Sequence, residues 1–284
     1  MLGMNYLITG GDGFIGSKIA TNVNGKSFDL KSGSDIFDTE KLKRACEGVD
    51  GIFHCAAKIS VPESMEKPKE YFHINVDGTK AVIDAAKMNN CKIVFSSSAA
   101  VYGDTESIVD ETSPLNPKSP YAENKRDGER LLKESCVPSI CLRYFNVYGP
   151  GQSAAYAGVI TPFINKALRN EDLIIYGDGN QIRDFIFVDD VVEANIAATR
   201  YNKTPFEIFN IASGVETSIN TLAKTIITLT NSSSTIRYES PRAGDILYSC
   251  ADVSNARTLL DWKAKIHLEV GLERTIAWYR NYVI

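Results

Sequence analysis

The chain has 284 residues, a formal net charge of −4 and a pI near 5.5. Hydrophobic residues make up 44% of it and charged residues 23%, which is typical of a globular protein with a sizeable core. No run rich in Lys and Arg offsets the acidic balance, so we expect no nucleic-acid partner. No apolar stretch approaches the roughly 18–20 residues of a membrane-spanning helix, so we expect no membrane segment.

The N-terminus and the cysteines indicate a cellular compartment. A strand-like run begins at Asn5, which leaves no room for a signal peptide and predicts a cytoplasmic protein. The six cysteines form no CxxC pair and no regular framework, so we expect reduced, mostly buried thiols. Three histidines are too few for a histidine-rich metal site, and we expect no metal. His54 ends an apolar run, which favours a structural role for it over a ligand role.

Short apolar runs alternate with helical patterns in the first half of the chain. The predicted strands are Tyr6–Thr9, Lys26–Leu30, Gly51–His54 and Lys92–Ser96. The predicted helices are Phe14–Asn22, Thr39–Glu47 and Ile74–Lys87. This alternation predicts an α/β fold, a doubly wound parallel sheet with helices on both faces.

The alternation weakens after Gly149. The later predicted elements are, in order, a helix at Pro162–Arg169, strands at Leu173–Tyr176 and Asp184–Val188, a helix at Asp189–Arg200 and a strand at Phe206–Ile211. We find no internal repeat and no long linker, so the second part is expected to be a smaller domain interleaved with the first. The expected division assigns 1–149 and 184–213 to the sheet domain, and 150–183 and 214–284 to the smaller domain.

A glycine-rich turn joins the first strand to the first helix. Gly10 allows a tight turn, Gly13 lets the backbone approach a pyrophosphate, and Gly16 lets helix and strand pack closely. The N–H groups and dipole at the helix start favour anionic phosphates. Turns collect glycine for other reasons, but the order strand, turn and helix favours dinucleotide binding.

A ribose-binding acid is expected after the next strand of a dinucleotide fold. Asp29 ends the second strand candidate and is our choice, although a solvated loop carboxylate is the alternative interpretation. An acid at this position favours NAD over NADP because it would repel a 2′-phosphate. Lys31 nearby weakens that argument.

A tyrosine and a lysine share one face of a predicted helix. Ser119 is a suitable N-cap and Pro120 a suitable first residue, so Tyr121 and Lys125 lie one turn apart. A phenol is a base at neutral pH only if neighbouring positive charge lowers its pKa. A tyrosine four residues before a lysine is a common pattern and is usually a coincidence on the protein surface. It gains weight from Ser96–Ser98, which place hydroxyls at the carboxyl end of a strand, where open α/β sheets bind ligands. The alternative is a serine-rich loop that caps its own backbone.

These motifs together resemble the extended short-chain dehydrogenase/reductase family and, within it, the UDP-glucose 4-epimerases. The likeness covers nearly the whole chain. Its markers are the 10–16 loop, His54–Ala57, Asn75–Thr79, Ser96–Gly103, Tyr121 with Lys125, Arg143–Pro150, Arg183–Asp189 and Pro241–Asp245.

The resemblance implies three catalytic roles. Tyr121 would be the acid/base on the sugar 4-hydroxyl, Lys125 would bind the nicotinamide ribose and lower the pKa of Tyr121, and Ser98 would hydrogen-bond the reacting oxygen. The implied NAD-binding residues are Gly10, Gly13, Phe14, Ile15, Gly16, Asp29, Asp35, Ile36, Ala56, Asn75, Ser96, Tyr121, Lys125 and Tyr144, with Asp35 and Ile36 at the adenine.

The resemblance also implies a UDP-sugar substrate held by the smaller domain. Asn146, Arg183 and Arg242 would hold the diphosphate, Asp245 the ribose and Tyr176 the uracil. The complete implied set is Ser98, Tyr121, Asn146, Val159, Ile160, Tyr176, Arg183, Arg242, Asp245 and Ser249.

The implied reaction is a reversible oxidation. Tyr121 takes the 4-OH proton while NAD⁺ takes the C4 hydride, the 4-keto sugar turns over, and the hydride returns to its other face. NAD should therefore stay bound. The family commonly forms homodimers, here through the helices at 77–87 and 121–134.

The sequence departs from the family pattern in three places. The stretch between Gly16 and Asp35 is short, so an outer strand or helix is expected to be trimmed. Ala99–Ala100 replace the acidic pair that 4,6-dehydratases carry, which argues against dehydration. Ser249 stands where glucose-restricted epimerases have a bulky residue, and we hypothesise room for 2-acetamido sugars.

Two other classes of function stay open. A nucleotide-sugar 4-ketoreductase or dehydratase of the same fold would share these motifs. A non-enzymatic NAD-binding regulator would bind the dinucleotide yet be indifferent to replacement of Tyr121.

Overall fold

The computed structural model describes residues 4–153, 158–241 and 245–282. The strands of its central sheet are β1 (Tyr6–Thr9), β2 (Lys26–Phe28), β3 (Gly51–His54), β4 (Lys92–Ser98), β5 (Ser139–Tyr144) and β10 (Phe206–Ile211). The helices around that sheet are α1 (Phe14–Val23), α2 (Thr39–Ala45), α3 (Val61–Glu66), α4 (Pro68–Phe72), α5 (Gly78–Asn89), α6 (Pro120–Glu134) and α8 (Val188–Arg200). None of the helices in these ranges is long and apolar enough to cross a bilayer.

The central sheet is parallel throughout, with the order β10-β5-β4-β3-β1-β2. Strands added outward on both sides of β1 make this the doubly wound Rossmann arrangement that the sequence predicted. In the described chain β2 pairs only with β1 and forms the edge, which agrees with the expected trimming after Gly16. All carboxyl ends of the strands lie at one edge of the sheet, so the loops that follow β1, β3, β4 and β5 meet there.

Two apolar layers cover the sheet. One face packs against α1 and α8, with Ile19 and Val191 fully buried among the side chains of β1, β4 and β5. The other face packs against α2, α5 and α6 through Leu42, Val82 and Leu132. β3, β4 and β5 are buried along most of their length, as expected for parallel strands covered on both sides.

The remaining elements build a second cluster beyond β5. Its strands are β6 (Asn146–Tyr148), β7 (Leu173–Tyr176), β8 (Ile182–Arg183), β9 (Phe185–Phe187), β11 (Thr217–Ser218), β12 (Ile236–Glu239) and β13 (Tyr248–Ser249). Its helices are α7 (Ile160–Leu168), α9 (Ile219–Thr230) and α11 (Leu268–Tyr282), whereas α10 (Ser254–Leu259) packs on the core of the central sheet through Ala256. Short strands pair as β6-β9, β7-β12 and β11-β8-β13. A separate apolar core, centred on Ile164, Leu222 and Leu272, joins α7, α9 and α11.

The element boundaries differ from the predicted ones at a few places. The second strand ends at Phe28, because Asp29 caps a 3-10 turn at Leu30–Ser32. The predicted helix at Ile74–Lys87 is a π-helical turn, His73–Asp77, followed by α5. The strand predicted at Asp184–Val188 is shorter, because Val188 already begins α8. All six cysteines are free, and four of them are buried.

Candidate active site

The glycine loop after β1 has the geometry of a phosphate-binding turn. Gly10 has φ +70°, and a Cβ there would lie 2.6 Å from the backbone nitrogen of Ala56. A Cβ on Gly16 would lie 2.2 Å from the Gly10 carbonyl oxygen, so neither position accepts a side chain. Gly13 precedes α1 and no side chain caps the helix start. The first-turn N–H groups of α1 are therefore available to an anion.

Asp29 lies beside this loop, at the end of β2. Its carboxylate accepts hydrogen bonds from the backbone N–H of Asp12 at 3.2 Å and of Lys31 at 2.9 Å. The ammonium of Lys31 donates to the carbonyl of Asp12, not to the carboxylate of Asp29. A carboxylate oxygen has two lone pairs, so Asp29 keeps capacity for a ribose hydroxyl. Asp35 is exposed farther along, and Ile36 next to it is buried against Gly78 of α5.

The buried side chain of His54 links the end of β1 to α5. Thr79 Oγ1 donates to the carbonyl of Asn75 at 2.6 Å, so it accepts from His54 Nε2–H at 3.0 Å, and His54 Nδ1 accepts from Thr9 at 2.7 Å. Burial lowers the pKa of His54 to about 3, which keeps the ring neutral. The structural role predicted for His54 agrees with this environment. The carboxamide of Asn75 binds both backbone groups of Lys58, and so fixes the loop after β3.

Ser98, Tyr121 and Lys125 lie together at the carboxyl end of β4. Ser119 accepts from the N–H of Ala122 at 3.2 Å and starts α6, as predicted from its residue type. The Lys125 ammonium is 5.9 Å from the centroid of the Tyr121 ring and donates to the Ser96 carbonyl at 2.6 Å. Ser98 also accepts from the N–H of Ala100, so it caps the 3-10 turn Ala99–Val101.

Burial shifts the pKa values of Tyr121 and Lys125 in opposite directions. It raises the pKa of the Tyr121 phenol, and a hydrogen bond with Ser98 acts in the opposite direction. It lowers the pKa of Lys125 to about 8. Bound positive charge near Tyr121 would therefore be needed to make the phenolate accessible at neutral pH.

Ser96 and Tyr144 extend the cluster toward the glycine loop. Their hydroxyls are 3.2 Å apart, and Tyr144 donates to Asn195 of α8 at 3.0 Å. Ser96 also donates to the sulfur of Cys55, which is in the loop after β3. These contacts join the ends of β3, β4 and β5, and thereby fix the carbonyl that binds Lys125.

A cavity of about 420 Å³ opens beyond β5 in the second cluster. Its polar lining includes Asn146, Tyr176, Gln181, Arg183 and Asp245, and Val159 and Ile160 contribute apolar surface. Ser98 pairs with Tyr144 in the sheet register, and Asn146 follows two residues later, so the chain leads directly from the catalytic cluster into the cavity.

Arg183 and Asp245 form an ion pair on the cavity wall. Arg183 Nη2 donates to Asp245 Oδ1 at 2.9 Å, and both side chains are mostly withdrawn from solvent. Arg242, the second arginine expected at a diphosphate, lies outside the described residues. Ser249 lies on β13 directly opposite Arg183 in the strand register and is half-buried.

Sequence reasoning missed two polar groups. Gln181 lines the cavity two residues before Arg183, and alternate residues of an extended segment share one side, a spacing that could have revealed it. Glu129 forms a buried bidentate ion pair with Arg143, at 2.9 and 2.7 Å, and accepts from Ser97 at 2.5 Å. This pair ties α6 to β4 and β5 and so supports Lys125, one turn earlier on α6.

The comparisons with known proteins agree with this geometry. Residues 6–212 match the family described as the NAD dependent epimerase/dehydratase family. The chain belongs to that family.

Three relatives illustrate the similarity. The "Putative UDP-glucose 4-epimerase" of Methanocaldococcus jannaschii is 37% identical, over 97% of this chain and 98% of the relative. The UDP-N-acetylglucosamine 4-epimerase of Methanobrevibacter ruminantium, solved with UDP-N-acetylmuramic acid, is 34% identical with a TM-score of 0.91 and covers 99% of each chain. The UDP-glucose 4-epimerase of Thermotoga maritima, solved with UDP-glucose, is 32% identical with a TM-score of 0.93, over 99% of this chain and 100% of that one.

Proposed function

We propose that the protein is an NAD-dependent isomerase that inverts C4 of a UDP-hexose. The observation that carries this proposal is the cluster of Ser98, Tyr121 and Lys125 between the glycine loop and the cavity. It combines a hydroxyl, a phenol and an ammonium, the groups required to move a proton on a sugar alcohol. The two residues after Ser98 are alanines, so the turn there carries no acid for elimination of water.

In the proposed reaction, Tyr121 accepts the proton of the 4-hydroxyl and returns it after the sugar has turned over. Ser98 hydrogen-bonds the same oxygen and orients it toward the phenol. Lys125 supplies positive charge beside the ring, which opposes the effect of burial on the phenol. NAD, held by the glycine loop and Asp29, would supply a reversible hydride acceptor for C4 of the sugar.

The residues present fit NAD. Gly10, Gly13 and Gly16 leave backbone N–H groups at the start of α1 for the pyrophosphate. Asp29 has free lone pairs for the adenosine ribose, and a carboxylate there disfavours a 2′-phosphate. The further proposed NAD contacts are Phe14, Ile15, Asp35, Ile36, Ala56, Asn75, Ser96 and Tyr144, in addition to Tyr121 and Lys125. Asn75 acts there by fixing the loop after β3.

The cavity fits the UDP part of the substrate. Arg183 offers a planar fork of donors to the diphosphate, Asp245 accepts from the ribose, and Tyr176 lies on the wall for the uracil. Asn146, Val159 and Ile160 complete the described wall. We also propose that Arg242 binds the diphosphate, on the basis of the sequence motif alone.

The sheet topology supports a matching division of the chain. We propose that 1–149 and 184–213 bind NAD and that 150–183 and 214–284 bind the nucleotide sugar. The six-stranded sheet uses segments of the first group only, while β7, β8 and β11–β13 belong to the second.

A homodimer in the cytoplasm is the proposed assembly. The dimer would form through α5 and α6, and the exposed side chains of Met65, Phe72 and Met88 on or beside these helices provide apolar surface. Light scattering would test it: a particle of twice the 31.2 kDa of one chain is expected, and a particle of one chain mass would contradict it.

The test of function is incubation of the purified protein with UDP-glucose or UDP-galactose and no added cofactor, with products separated by chromatography. An epimerase interconverts the two sugars on the NAD it retains. A 4-ketoreductase requires and consumes added NAD(P)H, and a non-enzymatic NAD-binding protein forms no product.

A further inference from the structure

Two opposite charges lie one turn apart on α6 and do not form an ion pair. The side chains of Lys125 and Glu129 are both buried. Residues four apart on a helix are neighbours, so a lysine and a glutamate at this spacing ordinarily attract each other. Among the described residues, however, Glu129 pairs with Arg143, and no ion pair includes Lys125. The charge of the ammonium therefore remains available to other groups.

The carboxylate of Glu129 is fully engaged on the central sheet. Arg143 donates from Nε to Oε1 at 2.9 Å and from Nη2 to Oε2 at 2.7 Å. Ser97 donates to Oε1 at 2.5 Å and lies beside Arg143 in the register of β4 and β5. A bidentate guanidinium neutralises a carboxylate and also fixes its orientation. Glu129 is thus held by the two strands and not by its neighbour on the helix.

The ammonium of Lys125 contacts the preceding residue of β4. It donates to the carbonyl of Ser96 at 2.6 Å. It also lies 5.0 Å from the centroid of the Phe95 ring and 5.9 Å from that of the Tyr121 ring. None of these three contacts supplies a negative charge while Tyr121 is protonated. The first negative charge to form beside the ammonium is therefore the phenolate.

The titratable groups that face Lys125 come from the end of β3, from β5 and from α6. Burial lowers the pKa of Lys125 to about 8, and Cys55, Glu129 and Cys141 act in the opposite direction. Burial raises the pKa of Cys55 to about 11 and that of Cys141 well above the usual range, so both thiols are neutral at neutral pH. Burial likewise keeps His54 neutral. Glu129 is the carboxylate in this set.

We propose that Arg143 is a positioning residue for the reaction, because it holds Glu129 at the sheet and so keeps that carboxylate away from the ammonium of Lys125. The inference rests on the proposed function, since it takes Tyr121 as the acid/base. Without Arg143, Glu129 is a buried charge without a partner, and the other buried cation among the described residues is Lys125. An ion pair between these two draws the ammonium from the phenol and leaves a carboxylate nearby. Both changes disfavour the phenolate.

The experiment follows kcat/KM for UDP-galactose against pH in the NAD-loaded wild type and in Arg143→Met, which releases Glu129. The acid limb of the profile reports the deprotonation of Tyr121. In Arg143→Met this limb should move to higher pH by about one unit or more, because the phenol loses a nearby cation and gains a nearby anion. At a pH below the limb, a shift of one unit lowers kcat/KM about tenfold.

The double variant Arg143→Met/Glu129→Gln removes the released carboxylate as well. Its acid limb should return to within about 0.3 pH units of the wild type, because no anion remains to draw Lys125 away. A merely structural role of Arg143 predicts no such recovery, since the double variant lacks every contact that the single variant lacks. If Arg143→Met does not fold, Arg143→Gln and its double variant replace it, because glutamine keeps hydrogen-bonding groups at this position without the charge.

Tyr102→Phe is the matched control. The Tyr102 hydroxyl accepts from Arg143 Nη1 at 2.8 Å and donates to Asn210 at 2.7 Å. Its removal disturbs the same buried network but leaves the ion pair of Arg143 with Glu129 in place. The melting temperature of Tyr102→Phe should fall, while the acid limb of its profile stays at the wild-type pH.

Two outcomes overturn the role of Arg143. One is an acid limb that does not move in the single variant, and the other is a shift that the double variant does not reverse. A wild type that turns over no UDP-sugar contradicts the proposed function instead. The pKa of the Tyr121 phenol is then measured directly by absorbance titration, as the difference between each variant and its Tyr121→Phe counterpart. Equal phenol pKa values in the wild type and the single variant would again overturn the role of Arg143.

Discussion

The ammonium of Lys125 lies 5.9 Å from the centroid of the Tyr121 ring, one helical turn away on α6. The same ammonium is fixed by a 2.6 Å hydrogen bond to the carbonyl of Ser96. The positive charge therefore has a defined position beside the phenol before any ligand binds. Lys125 is only 4% exposed, so little water screens its charge.

Replacement of Tyr121 by Phe removes the proposed proton acceptor and leaves the ring. We expect Tyr121→Phe to lower kcat by about 10²–10⁴-fold, because this is the usual contribution of general acid/base catalysis. NAD should still bind to the variant. Turnover of UDP-galactose and the absorbance of bound cofactor would be measured. Tyr201→Phe, which removes a hydroxyl that donates to Glu207 at the far end of α8, is the matched control. Substantial residual activity in Tyr121→Phe would refute the assigned role.

Arg183 offers a second test, directed at substrate binding. Arg183→Lys keeps the charge but loses the planar fork, so we expect UDP to bind about tenfold to a hundredfold more weakly. Calorimetry measures this affinity. Arg237→Lys makes the same change on the exposed strand β12, where the arginine binds Asp172 at the surface, and should leave UDP binding unchanged. Equal affinities of Arg183→Lys and the wild type for UDP would argue against a diphosphate contact.

The small side chain of Ser249 predicts acceptance of 2-acetamido sugars. We expect the wild type to epimerise both UDP-glucose and UDP-N-acetylglucosamine, and Ser249→Tyr to lose the second activity and keep the first. Ser249→Ala, which keeps the space, is the control. The hypothesis is wrong if the wild-type protein interconverts UDP-glucose and UDP-galactose but does not turn over UDP-N-acetylglucosamine.

The buried, neutral His54 predicts a pH dependence of stability. Its pKa is about 3 in the folded protein against an ordinary value of 6.5, so between these pH values the unfolded chain binds a proton that the folded chain does not. The stability that the neutral His54 contributes is fully present above pH ~6.5. As the pH falls toward about 3, the loss of this contribution lowers the free energy of unfolding by about 1.4 kcal/mol for each pH unit. Melting temperatures across this range should fall less steeply for His54→Gln than for the wild type.

His267→Gln controls for the loss of an imidazole, since that side chain is exposed. It should follow the wild-type pH dependence of the melting temperature. Identical curves for His54→Gln and the wild type would show that His54 does not carry the effect.

Local sequence determined the glycine loop and the catalytic helix. Gly16 is required by a contact within one strand–turn–helix unit, Gly10 has the positive φ of the tight turn in that unit, and Ser119 with Pro120 starts α6 by capping its own first turn. Tyr121 and Lys125 share a face because the helical period alone places them there. Such features depend on neighbours a few residues away, so the sequence predicts them directly. The alternation of strands and helices along the chain likewise predicted the parallel sheet.

Tertiary structure decided which distant polar groups meet. Gln181 and Asp245 are 64 residues apart in sequence and 3.3 Å apart in space, and only the pairing of β8 with β13 brings their segments together. The ion pair of Glu129 with Arg143 and the hydrogen bond of His54 with Thr79 likewise join separate elements. A pattern in the sequence shows that such residues are polar. Whether they are buried, and which atom lacks a partner, depends on the packing of strands whose order no local preference specifies.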